Sequence, residues 1–302
     1  MQIRVESYTR NEPVRAPMTD HDCVEFLQAV LPRLGLHWAG YRKLRGLVRK
    51  RLGRRLRELR ISGLQAYVPY LESHCEEWDA LDELCRIPVS RFFRDCGVFE
   101  QLEHIVLPTL AAGAAAQGRN ELACWSACCA SGEEPYTLAL IWGLRLARRL
   151  PQAQLRIVAT DIDAHLLERA RSACYRSSSL KALPQDLLAA GFSRRETQFC
   201  LRDEFRTIEF LQQDIRNVVP NAEFDLVLCR NAVLTYFAPR LRRQVMETVI
   251  SRVRPGGALV IGIHESLPQD PSRITAWPAT RAIYRKREPG AVLIHSSGDA
   301  SD

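Results

Sequence analysis

The stretch Leu122 to Arg149, LACWSACCASGEEPYTLALIWGLRLARR, decides the fold. Its apolar opening, Leu122 to Ser126, suits a short buried strand, and small residues up to Gly132 break that pattern before a helix begins. Glu133, Glu134 and Pro135 suit a first helical turn, Arg145, Arg148 and Arg149 a last one, and Pro151 a stop. A strand, a tight turn of small residues and a helix form the unit that, at the carboxyl edge of an open α/β sheet, lets a nucleoside approach the backbone.

The next unit repeats the design. Leu155 to Thr160, LRIVAT, reads as a second strand ending at Asp161, where a carboxylate at a strand tip is suited to accept both hydroxyls of a ribose. Asp161 is therefore expected to bind the cofactor, the alternative being a cap on the helix Ala164 to Arg171, for which Asp163 is the better candidate. Phe224 to Cys229, FDLVLC, reads as a central strand because a short, mainly apolar run fits a strand covered on both faces.

ACCASGEEPYTLA, ATDIDAHLLERARSACY, FDLVLCRNAVLTYF and RPGGALVIGIHE, in this order, resemble the catalytic domain of CheR-type protein-glutamate methyltransferases, which use S-adenosylmethionine to methylate chemoreceptor glutamates. The resemblance runs from about Asp20 to Lys286. It implies an α/β fold with a Rossmann-like class I methyltransferase sheet, a small N-terminal helical domain over 18–85, a methyltransferase domain over 86–288 and an inserted β-subdomain near 175–209. In some relatives that subdomain binds a tethering peptide. It also implies S-adenosylmethionine as cofactor and an acidic, chemoreceptor-like protein as partner.

Carried over by position, the resemblance assigns cofactor contacts to Ser90, Arg94, Glu134, Asp161, Asp214, Ile215, Arg230 and Asn231, and catalytic roles to Arg94 and Tyr236. Arg94, in SRFFR, offers a bidentate fork to a carboxylate, either the methionyl one or that of the substrate. Glu134 is matched to the methionyl ammonium, and Glu133 to the helix start. Gln213-Asp214-Ile215 is matched to adenine recognition, with Asp214 as acceptor and a helix cap as the alternative. Three departures bear on the site: Pro88 stands where relatives carry Asn, Cys128 where they often carry Gly, and CRNAVLTYF holds one residue more than the usual spacing before the tyrosine.

Composition sets the outer bounds. A chain of 302 residues with 46% hydrophobic residues suffices for one large α/β domain and a small accessory one. No run reaches the length of a membrane span and MQIRVESYTRNEP lacks a signal-peptide core, so a cytoplasmic protein without membrane insertion is expected. The ten cysteines show no CxxC spacing; reduced thiols and no metal site are expected, with Cys128-Cys129 as small turn residues.

Tyr41 to Arg60 carries apolar Leu44, Leu47, Val48, Leu52, Leu56 and Leu59 through a dense basic background, more than accounting for the net charge of +7. Three readings stand side by side: a solvated face, a surface for an acidic protein and a nucleic-acid surface, the last without zinc spacing or an RNA-binding aromatic motif. No nucleic-acid partner is expected. Elsewhere, Met1 to Pro17 reads as a loose lead-in, Cys85 to Asp95 as a linker, Val98 to Leu110 as a helix, AAGAAAQGRN as a surface turn, TQFCLRDEFRTIEF as an antiparallel pair, RPGG as a turn, Thr280 to Lys286 as a last strand and 289–302 as a mobile tail.

A carboxylate acceptor is ionised at neutral pH, so transfer from a sulfonium needs alignment and no general base. The leading expectation is a protein-glutamate O-methyltransferase. The alternatives are a CheR-like methyltransferase acting on a small molecule or a different protein, and a non-catalytic partner-binding paralogue.

Overall fold

The computed structural model describes residues 18–267, 273–280 and 282–288. The expected lead-in and tail lie outside these residues. The chain divides into two units, Met1–Ile87 and Pro88–Asp302.

In the first unit, the helix Asp20–Val30 starts in a capping box, with Thr19 and Asp22 satisfying each other's backbone N–H groups. The basic segment folds as a short helix, Trp38–Tyr41, and a longer one, Arg45–Glu58, which buries Val48, Leu52 and Leu56. Helices Leu64–Ser73 and Glu77–Cys85 complete the unit and bury Tyr67, Leu71 and Leu81. Two buried acids sit among them: Asp82 pairs with Arg86 at 2.7 Å, and Glu77 accepts both prongs of Arg55, at 3.0 and 2.7 Å, and the Tyr67 hydroxyl at 2.6 Å.

In the second unit, seven strands form one sheet among the described residues: β1 (Glu121–Ala127), β2 (Gln154–Asp161), β6 (Ile208–Gln212), β7 (Phe224–Cys229), β8 (Val253–Val260), β9 (Ile274–Ala276) and β10 (Ile283–Lys286). Their order is β6-β2-β1-β7-β8-β10-β9, parallel from β6 to β8 and antiparallel beyond. β7 is central, and all six of its residues are buried. Side chains alternate between two cores: Leu122, Cys124, Leu226 and Leu228 pack on one face, and Ala123, Trp125, Val227 and Cys229 on the other.

The chain leaves β1 toward β2 and leaves β7 toward β8, in opposite directions across the sheet. The crevice between β1 and β7 is thus the topological switch point, the place where open α/β sheets bind ligands. Register makes it level: Ala127 pairs with Thr160 of β2 on one side and Cys229 of β7 on the other. Cys128, Asp161 and Arg230 therefore follow at one edge.

Several local expectations are corrected. The Ala-rich run is helical over Leu107–Ala116, because alanine favours helix where no turn chemistry intervenes. RPGG lies inside β8, where a register shift between Phe224 and Leu226 absorbs it and Gly256 takes a positive φ of 75°. Only the end of TQFCLRDEFRTIEF, Ile208 to Phe210, joins the main sheet in β6, parallel to β2; the antiparallel pairing belongs to a separate small sheet of β3 (Cys174–Arg176), β5 (Gln198–Leu201) and β4 (Phe192–Arg195), in that order.

That small sheet overturns the expectation of wholly reduced thiols. Cys174 and Cys200 are register partners, 4.0 Å apart at Cα, and form a disulfide. Two cysteines 26 residues apart give no sign of this until the strand register is known. Cys128 and Cys129 are free thiols, and no cluster of metal-ligating side chains occurs among the described residues. Nor is any described helix long and apolar enough to cross a membrane.

Candidate active site

The turn after β1 is built on positive φ: Cys128 at 58°, Ala130 at 50° and Gly132 at 87°. Only glycine fits the last position, since a Cβ there would lie 2.9 Å from the Cβ of Ala170. The tip of β2 holds this turn in place. Cys129 donates its backbone N–H to Thr160 O at 2.9 Å, and Ala130 donates to Asp161 Oδ2 at 2.8 Å, while Asp161 Oδ1 accepts from the Asp163 N–H at 3.0 Å. Asp163 caps the helix Ala164–Ser172 through the N–H groups of His165 and Leu166.

From the other side of the crevice comes Arg230. Its side chain is 2% exposed, and it donates to Glu134 Oε2 at 3.0 Å, Asp95 Oδ2 at 2.7 Å and the carbonyl of Arg94 at 2.9 Å, with its guanidinium 5.2 Å from the Phe99 ring. Glu134 also accepts from Ser126 Oγ at 2.7 Å. The knot fastens the loop after β7 to the helix Glu133–Ile141 and to the FFRD segment, where Phe93 and Asp95 take φ of 56° and 61°. Asp95 is a partner that sequence reasoning missed; it lies 135 residues from Arg230.

Glu133 is also buried, and burial raises its carboxyl above the ordinary value against bonds from its own backbone, Ser90 and Ser131. Ser90 thus meets Glu133. Arg94 donates to Val89 O at 2.7 Å and lies within electrostatic reach of Tyr236. Burial raises the Tyr236 phenol, Arg94 opposes that shift and Glu265 adds to it, so the hydroxyl is neutral at pH 7. Burial likewise raises the thiols of Cys128 and Cys129 well above the usual value, which keeps them protonated and inert.

After β6, in Gln213-Asp214-Ile215, the acid is held by local bonds. The Asp214 carboxylate accepts the Arg216 backbone N–H at 3.0 Å, the Arg216 Nε at 2.9 Å and the Asn217 Nδ2 at 3.3 Å, which is how a capping residue behaves. Ile215 is buried in the core on one face of the sheet. Its neighbour Gln213 has a buried Oε1 with no hydrogen-bond partner, as does Arg230 Nε. A buried orphan acceptor beyond the third parallel strand suits an amine.

Asn231 stands at φ 55° and donates its backbone N–H to Glu265 Oε2 at 2.9 Å. The edge thus combines a narrow turn of small residues, an acid at the tip of β2, an orphan carbonyl beyond β6 and a cation with a neutral phenol, a set that fits an adenosyl amino acid. The family model described as CheR methyltransferase, SAM binding domain, matches residues 88–283, and that described as CheR methyltransferase, all-alpha domain, matches residues 22–83. The chain belongs to the CheR methyltransferase family.

It is an S-adenosylmethionine-dependent methyltransferase. A protein of Rhodobacter capsulatus named "Uncharacterized 104.1 kDa protein in hypE 3'region" is 32% identical over 247 residues, 82% of this chain; the chain spans 26% of that relative's length. The chemotaxis protein methyltransferase of Listeria monocytogenes is 29% identical over 252 residues, covering 83% of this chain and 92% of its own length. That of Escherichia coli is 30% identical over 273 residues, covering 86% and 90%.

Proposed function

We propose that this CheR-family enzyme forms methyl esters on glutamate side chains of an acidic, chemoreceptor-like protein. The observation that carries the reading is Arg94 within electrostatic reach of Tyr236, a cation and a neutral phenol that the segment Ser90 to Arg94 and the turn Val233–Tyr236 bring to one edge of the sheet. An anionic acceptor needs charge neutralisation and alignment, and that pair offers both. The Listeria and Escherichia relatives, whose alignments take in most of this chain, are named chemotaxis protein methyltransferases, which supports an acceptor in chemotaxis.

S-adenosylmethionine supplies a methyl carbon that leaves its sulfonium sulfur as a carboxylate oxygen donates an electron pair, giving an ester and a neutral thioether. In this reading Arg94 orients the acceptor carboxylate and Tyr236 lines the transfer site. Asp161 takes the ribose hydroxyls, Gln213 Oε1 the adenine amine, and Glu134, Ser90 and Asn231 the methionyl side. Arg230 acts through Glu134 and the Arg94 backbone, so its part is to hold the loops together.

Labelled donor incubated with a Glu-rich chemoreceptor cytoplasmic fragment should give protein-bound label released as methanol by mild base, and Arg94→Ala should remove most of it. Calorimetry with S-adenosylhomocysteine should show Asp161→Ala weakening binding by at least about 100-fold, equivalent to roughly 2.7 kcal/mol. Unchanged affinity in that variant would refute the ribose contact. A small-molecule or other protein acceptor is a second reading, favoured by Pro88 and by the extra residue before Tyr236; label in metabolites of a lysate, with none on the receptor fragment, would select it.

A further inference from the structure

Glu265 follows β8 and was assigned no role above beyond its effect on Tyr236. One of its carboxylate oxygens, Oε2, accepts two backbone N–H groups from two different loops: Asn231, after β7, at 2.9 Å, and Gly262, after β8, at 2.7 Å. The other, Oε1, accepts the hydroxyl of Thr235, the residue before Tyr236. Thr235 and Tyr236 lie in a single helical turn, Val233–Tyr236, whose start follows the αL backbone of Asn231.

Space is as tightly assigned as hydrogen bonding. A Cβ on Gly262 would lie 2.7 Å from Asn231 Oδ1 and 2.8 Å from Glu265 Oε2, so a side chain there would push both of these groups out of place. A half-buried carboxylate with three donors, a glycine that makes room for it and a neighbouring strained asparagine form a built clamp.

The geometry points to Glu265 as the positioning residue of the transfer site: Oε2 locks the loop after β7 to the loop after β8, and Oε1 holds Thr235 and thereby sets where Tyr236 stands. The clamp acts within CRNAVLTYF, the motif with one residue more before the tyrosine: its Val233–Tyr236 portion forms a helical turn, and the Thr235 hydroxyl is tied down to the facing loop. The inference deepens the methyl-transfer reading and rests on it for its kinetic consequences, while the clamp itself is a property of the chain.

Because the role is geometric, the neutral isostere should rescue it. In Glu265→Gln the carbonyl oxygen can receive both backbone N–H groups, and the amide NH₂ can donate to Thr235, whose hydroxyl accepts as readily as it donates. Glu265→Ala leaves all three donors without their acceptor.

The experiment measures residue-resolved amide hydrogen exchange, calorimetric affinity for S-adenosylhomocysteine, and kcat with the Glu-rich chemoreceptor fragment, in the full chain. Glu265→Ala should speed exchange at the Asn231 and Gly262 amides at least about tenfold and lower kcat on the order of 100-fold, as expected when a reacting group is displaced by about 1 Å. Glu265→Gln should stay within about threefold of wild type in both. Thr235→Val, which cuts the Oε1 arm alone, should lower kcat while amide protection and affinity for S-adenosylhomocysteine hold. Retained protection and kcat in Glu265→Ala, or damage in Glu265→Gln equal to that in Glu265→Ala, would overturn the clamp. If wild type transfers no label to the fragment, the acceptor reading falls, and the exchange measurements still decide the clamp.

Discussion

Each unit of the molecule contains a buried guanidinium–carboxylate knot, and the two are built differently. In the helical unit Arg55 meets Glu77 through both prongs and reaches the more exposed Glu58 at 3.5 Å, and the Tyr67 hydroxyl joins Glu77, which is 3% exposed. In the sheet unit Arg230 is the buried member at 2%, its acids Asp95 and Glu134 are more open at 19% and 15%, and its Nε has no partner. The first knot closes on itself. The second stands at the switch point with a donor left over and acids facing outward, which is the condition of a group that holds a binding site together rather than only a core.

The largest effect should come from breaking the second knot. Arg230→Met leaves two acids and a carbonyl without their donor, and a loss of about 3–5 kcal/mol in unfolding free energy is expected from urea titration. It should also abolish the rise in melting temperature that S-adenosylhomocysteine gives the wild type, since ligand stabilisation follows affinity. A normal ligand-induced rise in a weakened Arg230→Met protein would make the two knots alike and remove the distinction.

The same contrast explains what could be read from the sequence. FDLVLC was legible as a central strand because a short run that is apolar at five of its six positions fits a strand covered on both faces, and Asp163 was legible as a cap because capping is local. Asp95 and Glu134 as partners of Arg230 were not, for they lie 135 and 96 residues away and meet it only once the strand order is set. The Cys174–Cys200 bond was hidden for the same reason. Asp214 binds locally to Arg216 and Asn217 while the neighbouring Gln213 Oε1 stands without a partner, a difference that only the geometry after β6 reveals. Motifs placed residues at the edge; topology chose their partners.

Breaking the first knot should cost less and leave chemistry alone. Burial raises the Glu77 carboxyl, but the bonds from Arg55 and Tyr67 outweigh it, and the net shift is downward. A carboxyl depressed in the folded state contributes stability that is complete above its unfolded value of about 4.3 and is lost as pH falls through the folded value. Glu77→Gln should therefore be less stable than wild type by about 2 kcal/mol at pH 7, with the gap constant through neutral pH and closing only below about pH 4. Its affinity for S-adenosylhomocysteine should equal that of wild type; a weaker affinity would mean that this knot, too, serves the site.

The smallest effect on folding, and the one that isolates encounter from chemistry, is expected on the helix that carries Arg55. Lys50 and Arg57 point to solvent there, as does Lys43 just before it, while Arg45 pairs with Asp20 at 2.8 Å. Charges without a partner cannot be explained by stability, because solvated cations contribute little to it. A field that attracts an acidic protein acts on the association rate and fades with ionic strength, the Debye length falling from about 10 Å at 0.1 M to about 3 Å at 1 M salt. Reversing all three charges to Glu should lower kcat/KM for the acidic receptor fragment about tenfold at low salt, leave kcat and melting temperature unchanged, and lose its effect near 1 M salt. A defect that persists at high salt would mean that these side chains make direct contacts, and a defect in kcat would tie them to the transfer step rather than to the approach.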